Sequence, residues 1–313
     1  MKTRTGFLVI SMLALSGLAL MLTACGGGGG SSTGALNLSL TDAPVDEAEE
    51  VVVNFIGVEL QPAGGERIMF DFTAEGEMCE TDPLPCMIDL TDYTDGDSVL
   101  LLDSVTVPAG QYSWMRLILA EDPGYIVING EQSPLQIPSG AQTGLKLHSG
   151  FVVAAASVTD YTVDFDLRKS VHLPSCDGCD YKLRPTLRLI DNLEVGTLTG
   201  TVDPALITQD CSGAVYVFDG SVIEPDDEDG EGVGGPDPIA SARVSNDGVY
   251  GYTVGFLLEG DYLVTFTCDA LNDTEADEVI NFAGTDSVHI FAGETTPHDI
   301  VPAVPLLPVP DPV

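Results

Sequence analysis

The residues able to do chemistry are few and unevenly placed. The densest acidic run is Glu224-Pro225-Asp226-Asp227-Glu228-Asp229-Gly230-Glu231, and hard carboxylate oxygens at this density suit calcium. Aligning Asp229-Gly230 with the calcium-loop pattern puts Pro225 at its first ligand position and Pro236 at its last. Only weak, millimolar-range calcium binding through Asp226, Asp227, Asp229 and Glu231 is therefore expected, against the plainer reading of a solvated acidic insertion between two strands. His148, His172, His289 and His298 are scattered, and no His-Glu-x-x-His, Gly-x-Ser-x-Gly or phosphate-cradling glycine turn occurs. The chain is not expected to be an enzyme or to carry a cofactor. Trp114, the single tryptophan, is a candidate platform for a sugar ring, but its alternation with Tyr112 and Ile118 places it in a core. The ligand-binding residues stay unspecified.

Seven cysteines are present: Cys25, Cys79, Cys86, Cys176, Cys179, Cys211 and Cys268. Setting Cys25 aside leaves an even six, which fall into the pairs Cys79 with Cys86, Cys176 with Cys179, and Cys211 with Cys268. Disulfides suit an oxidising compartment. The alternative is a four-thiolate zinc site from Cys79, Cys86, Cys176 and Cys179, since Cys176-Asp177-Gly178-Cys179 has ligand spacing.

Cys25 is set aside because of what precedes it. Lys2 and Arg4 form a positive start, residues 7–22 are almost wholly apolar, and Leu22-Thr23-Ala24-Cys25 leads into Gly26 to Gly30. This resembles the lipobox of bacterial lipoproteins, which implies diacylation of Cys25, removal of residues 1–24 and acylation of the new amino terminus. The apolar run is short for a membrane span of about 20 residues. By the same resemblance, Gly26 after the cysteine favours a lipid-anchored place at the outer membrane, facing the periplasm or the surface. Residues 25–34 then form the lipidated cysteine and a Gly/Ser tether with a reach of roughly 15–18 Å.

The formal net charge is −38, and the chain without residues 1–24 carries 9 basic and 49 acidic side chains. Such an excess repels itself and is eased by salt. It excludes nucleic acid as a partner, since phosphate backbones need a basic footprint. Five of those nine basic residues lie in 161–191: Arg168, Lys169, Lys182, Arg184 and Arg188. They form either an anion-binding stripe or a row neutralised across strands by Asp164 and Asp166.

The elements positioning these residues read as strands. Leu36, Leu38 and Leu40 alternate with polar residues, the period-two signature of a half-buried strand. Further short apolar runs occupy 51–60, 68–72, 99–102, 112–119, 125–128 and 135–137, with Asn129-Gly130 marking a hairpin. In 161–168, Tyr161, Val163, Phe165 and Leu167 share one face. In 181–189, Tyr181, Leu183, Leu187 and Leu189 share another, and the two stretches are expected to pair antiparallel. After 191–193 a second set of strands begins at Val195. Gly110-Gln111-Tyr112 and Gly260-Asp261-Tyr262 each open a strand, the setting for a tyrosine packed at a sandwich corner with its hydroxyl returned to the backbone.

Two resemblances follow. Leu38-Ser39-Leu40-Thr41-Asp42-Ala43-Pro44, 105–112, 165–171 and Tyr181-Lys182-Leu183-Arg184-Pro185 resemble domain-of-unknown-function family 4382, which implies a β-rich extracytoplasmic domain over 35–192 without catalytic residues. Asp247-Gly248-Val249-Tyr250 followed by Gly260-Asp261-Tyr262 is similar to carboxypeptidase-regulatory-like domains, which implies a transthyretin-type or carbohydrate-binding-like β-sandwich over 193–302. Residues 303–313 form a Pro-rich tail. The expectation is an all-β chain of two Ig-like or transthyretin-like β-sandwich domains in series. It would serve as a non-catalytic envelope lipoprotein that binds a glycan or an envelope protein, or as a structural or adhesive spacer.

Overall fold

A computed structural model describes residues 32–43, 48–72, 86–138, 144–172, 181–228, 235–246, 248–273 and 279–303. The fold is all-β. Its strands form four sheets, two drawn wholly from 33–191 and two wholly from 195–297.

The first sheet has the order β13 (Thr186–Asp191), β10 (Val158–Asp166), β1 (Thr33–Ala43), β5 (Val99–Pro108). Along β1 the alternation holds, with Leu36, Leu38 and Leu40 fully buried. The second sheet centres on the long β2 (Glu50–Pro62) and β6 (Gly110–Ile128). Around these lie β3 (Ile68–Asp71), β4 (Cys86–Asp89), β7 (Glu131–Gln136), β8 (Leu145–Leu147), β9 (Phe151–Val153), β11 (Val171–His172) and β12 (Tyr181–Leu183). Leu36, Leu38, Val105, Val163 and Phe165 from the first sheet meet Phe55, Val58, Met115, Leu117 and Phe151 from the second in one core. Each fully buried Leu, Val or Phe contributes about 1.5–3 kcal/mol, which is set against the cost of ordering the chain.

β6 exceeds ordinary strand length because it bends. Val53 pairs with Gly124 and Phe55 with Leu119, so residues 120–123 bulge opposite Asn54. A Cβ on Gly124 would lie 1.9 Å from the Val52 carbonyl oxygen, and its φ is +132°, so only glycine fits. Asn54 secures the bulge by donating to the Asp122 carbonyl at 3.0 Å. Asn129 and Gly130 take φ of 53° and 72° and close the β6–β7 hairpin with Ile128 opposite Glu131, as their pairing predicts.

The expected strand over 181–189 is two strands in two sheets. β12 pairs parallel with β7, whereas β13 pairs antiparallel with β10. The break falls at Pro185, which has no N–H to give a ladder. Ser170, at the end of the helical turn α1 (Leu167–Ser170), holds the crossing. Its carbonyl accepts from the Arg184 N–H at 2.8 Å, and its Oγ accepts from the Thr186 N–H at 2.8 Å. The antiparallel pairing expected for the two stretches thus holds for β10 with β13 only.

The third sheet has the order β17 (Gly251–Leu258), β14 (Val195–Thr201), β20 (Thr295–Pro297). The fourth is β16 (Ala240–Arg243), β15 (Ala214–Asp219), β18 (Gly260–Thr267), β19 (Phe282–Ile290). Leu198, Tyr252 and Val254 pack on Val215, Val217, Val264 and Phe266 between them. The fourth sheet also buries its outer face, where Tyr216, Phe218 and Leu263 lie with Ala270, Val222 and Phe282.

Candidate functional site

The most concentrated chemistry lies on the outer face of the second sheet. Lys146 on β8 stands opposite Arg116 on β6, and Arg116 stands opposite Glu59 on β2. Trp114, two residues from Arg116, pairs with Gln61. The Lys146 Nζ sits 4.2 Å from the Trp114 ring centroid, with the guanidinium carbons of Arg116 and Arg67 at 5.0 and 5.9 Å. All are within cation–π range. Glu59 pairs with Arg67 at 3.2 Å and with Arg116 at 3.2 Å. Among the described residues no carboxylate pairs with Lys146.

Trp114 is therefore not where its alternation with Tyr112 and Ile118 put it. It is half-buried on the outer face, while Tyr112, Met115, Leu117 and Leu119 enter the core. The reason is a register shift between Gln61 and Pro62, which leaves Ser113 without a partner across the ladder. One inserted residue reverses the side to which a strand points.

The other expected site residues are dispersed. Cys211 and Cys268 form the expected disulfide, S–S 2.00 Å. Cys86 is disulfide-bonded, which removes it as a thiolate ligand for zinc; Cys25, Cys79, Cys176 and Cys179 lie outside the described residues. Of the calcium candidates, Asp229 and Glu231 lie outside them too. In the segment leading to them Glu224 is exposed, whereas Asp227 is only 1% exposed and the Glu228 N–H donates to Asp273 at 3.1 Å. Asp273 in turn accepts the hydroxyl of the buried Tyr216, so the segment lies over the outer face of the fourth sheet. Among the described residues no group of three or more His, Cys, Asp or Glu side chains gathers as a metal site.

Of the basic residues of 161–191, the side chains of Arg168 and Lys169 lie outside the described ones, and the other three do not make one stripe. Arg188 donates to the Asp164 carboxylate from Nε at 3.0 Å and from Nη2 at 2.6 Å, while Lys182 and Arg184 belong to β12 and the turn beyond it. Arg188 and Asp164 line a crevice of about 230 Å³ with Asp42, Asp95, Thr253 and Phe256. Asp42 there accepts the Leu167 N–H at 3.1 Å. Crowding by protein raises the Asp95 carboxyl above its ordinary value, with Arg243 opposing and Asp97 adding to the effect. Asp95 keeps an exposed edge, so this costs little.

Both expected tyrosine corners are present. The Tyr112 hydroxyl donates to the Pro108 carbonyl and the Tyr262 hydroxyl to the Leu258 carbonyl, each at 2.8 Å and each four residues back. Among the described residues no helix is long and apolar enough to cross a membrane.

No curated relative matches the chain. Among solved structures it is similar to the Bacillus anthracis TIE protein, at 13% identity and TM-score 0.20, covering 86% of this chain and 34% of that one. It is also similar to GBS52, the minor pilin of Streptococcus agalactiae, at 11% identity and TM-score 0.20, covering 86% and 98%. A third is a putative adhesin from Bacteroides ovatus, at 10% identity and TM-score 0.21, covering 94% and 96%. Likenesses this low carry no argument about function. What the comparisons establish is that residues 33–185, which build the first two sheets except β13 and hold the Trp114 face, match the family model described as Domain of unknown function (DUF4382).

Proposed function

We propose that the protein is a non-catalytic binding module for carbohydrate, held to the bacterial envelope through lipid on Cys25. The observation that carries this reading is Trp114: the single indole of the chain is half-buried on an outer sheet face instead of in a core. An aromatic ring left partly in water forgoes burial energy, and recognition of a ligand is the use that offsets the loss. The Leu22-Thr23-Ala24-Cys25 motif and the Cys211–Cys268 disulfide support a place outside the cytoplasm. The turn at Gly248 and the corner at Tyr262 support a carboxypeptidase-regulatory-like sandwich over 193–302, in series with the first domain over 35–192.

A second reading, a structural or adhesive spacer, is favoured by the close backbone contact of Gly96 with Gly255, which ties the first pair of sheets to the second. A glycan array probed with the full chain separates the two. Binding that is lost in Trp114→Ala is expected; silence of the full chain across the array, with a protein partner recovered by crosslinking, would instead establish the spacer.

A further inference from the structure

We infer that the Trp114 face recognises acidic polysaccharide, its Lys146, Arg116 and Arg67 cations reading carboxylate or sulfate groups along the chain. The inference rests on the carbohydrate-binding reading above and names the class of glycan.

Of nine basic residues beyond Arg4, five lie in 161–191, and three of the remaining four meet at one indole. With 49 acidic residues in the chain, neutralising partners are abundant, yet Glu59 alone pairs with the three cations among the described residues. The patch keeps a formal charge of +2 on a molecule of −38.

Lys146 and Arg116 are directly opposed across two strands, where like charges destabilise a sheet. A cation whose only task was to cover the indole would not need a second beside it. The ammonium and guanidinium groups stand 4.2 and 5.0 Å from the ring centroid, so a sugar that meets the indole meets cations beside it. What is presented is a set of cations whose rotamers the ring restrains. Arg67 has 59% of its side chain exposed and holds Glu59 at 3.2 Å, a carboxylate that a ligand's anion can replace, and guanidinium groups suit the planar two-oxygen geometry of carboxylate and sulfate.

A polysaccharide suits the patch better than an anionic membrane or a nucleic acid. An anionic lipid surface would set a molecule of net charge −38 against like charge over a wide area. Three cations are also too few for a nucleic-acid footprint. A single extended chain touches the patch alone.

The test is titration of the purified full chain with polygalacturonate and dextran sulfate, against unmodified dextran and phosphatidylglycerol vesicles. Retention by either acidic polymer and not by dextran is expected, weakened about tenfold in Lys146→Gln or Arg116→Gln. It should be strengthened roughly threefold in Glu59→Gln, which raises the patch to +3. Affinity unchanged in both cation variants, or weakened in Glu59→Gln, would overturn the inference, as would preference for vesicles. Trp114-dependent binding of neutral glycans alone would overturn it and leave the carbohydrate reading standing; no glycan binding of any kind would remove both.

Discussion

The two tyrosine corners show how a residue type at a fixed offset becomes a structural bond. Tyr112 and Tyr262 belong to separate cores, yet each returns its hydroxyl to the carbonyl four residues earlier. Burial raises both hydroxyls above their ordinary pKa. A phenol with a raised folded value binds its proton more tightly than in the unfolded chain, so its contribution is complete below about pH 10 and declines as pH climbs further. Removing the hydroxyl takes one hydrogen bond from the carbonyl of Pro108 or Leu258. Tyr112→Phe and Tyr262→Phe are each expected to lose about 1 kcal/mol in urea unfolding at pH 7, and the double variant to lose the sum within about 0.5 kcal/mol. Phe variants as stable as the parent would mean that water replaces the bond without loss. These residues were legible because Gly-x-Tyr at a strand entry fixes its own geometry. Trp114 was not, because the residue inserted at Ser113 leaves no mark in an apolar alternation and yet decides which face the indole takes.

At the scale of elements, strand existence was readable from period two, whereas the sharing of strands between sheets was not. The stretch 181–189 reads as one strand despite Pro185, and the parallel pairing of β12 with β7 depends on contacts far apart in sequence. The same limit applies to the junction of the two pairs of sheets. β14 pairs Leu198 with Val254 and Gly196 with Leu257, which leaves a bulge where Phe256 takes φ of 56°. That bulge brings Gly255 so near the loop of the first sheets that a Cβ would stand 2.6 Å from Gly96 Cα. Both partners are backbone, so no side chain can yield. Gly255→Ala is expected to cost about 1–3 kcal/mol by overpacking. Gly260→Ala, whose Cβ would meet the Tyr262 ring at 3.8 Å, should change stability by less than about 0.5 kcal/mol. Equal effects in urea unfolding would show that the Gly96–Gly255 approach does not hold the sheets together.

At the scale of the whole molecule, charge decides how the chain can be attached to a membrane. A stable peripheral anchor needs two signals, either a second acyl chain or a polybasic patch beside the first. Residues 26–66 contain no lysine or arginine, and the net charge of −38 opposes approach to anionic lipid. Electrostatics therefore contributes nothing favourable at the bilayer, and under the proposed anchoring the acyl chains on Cys25 supply all of the attachment. Each buried methylene is worth about 0.8 kcal/mol, so attachment should be all or none and insensitive to salt. Cys25→Ala is expected to move the protein wholly into the soluble fraction at low ionic strength, with no bound remainder for 1 M salt to release. A mutant that sediments with membranes and resists both salt and alkaline carbonate would instead be held by the apolar stretch at 7–22, and the lipid anchor would be refuted.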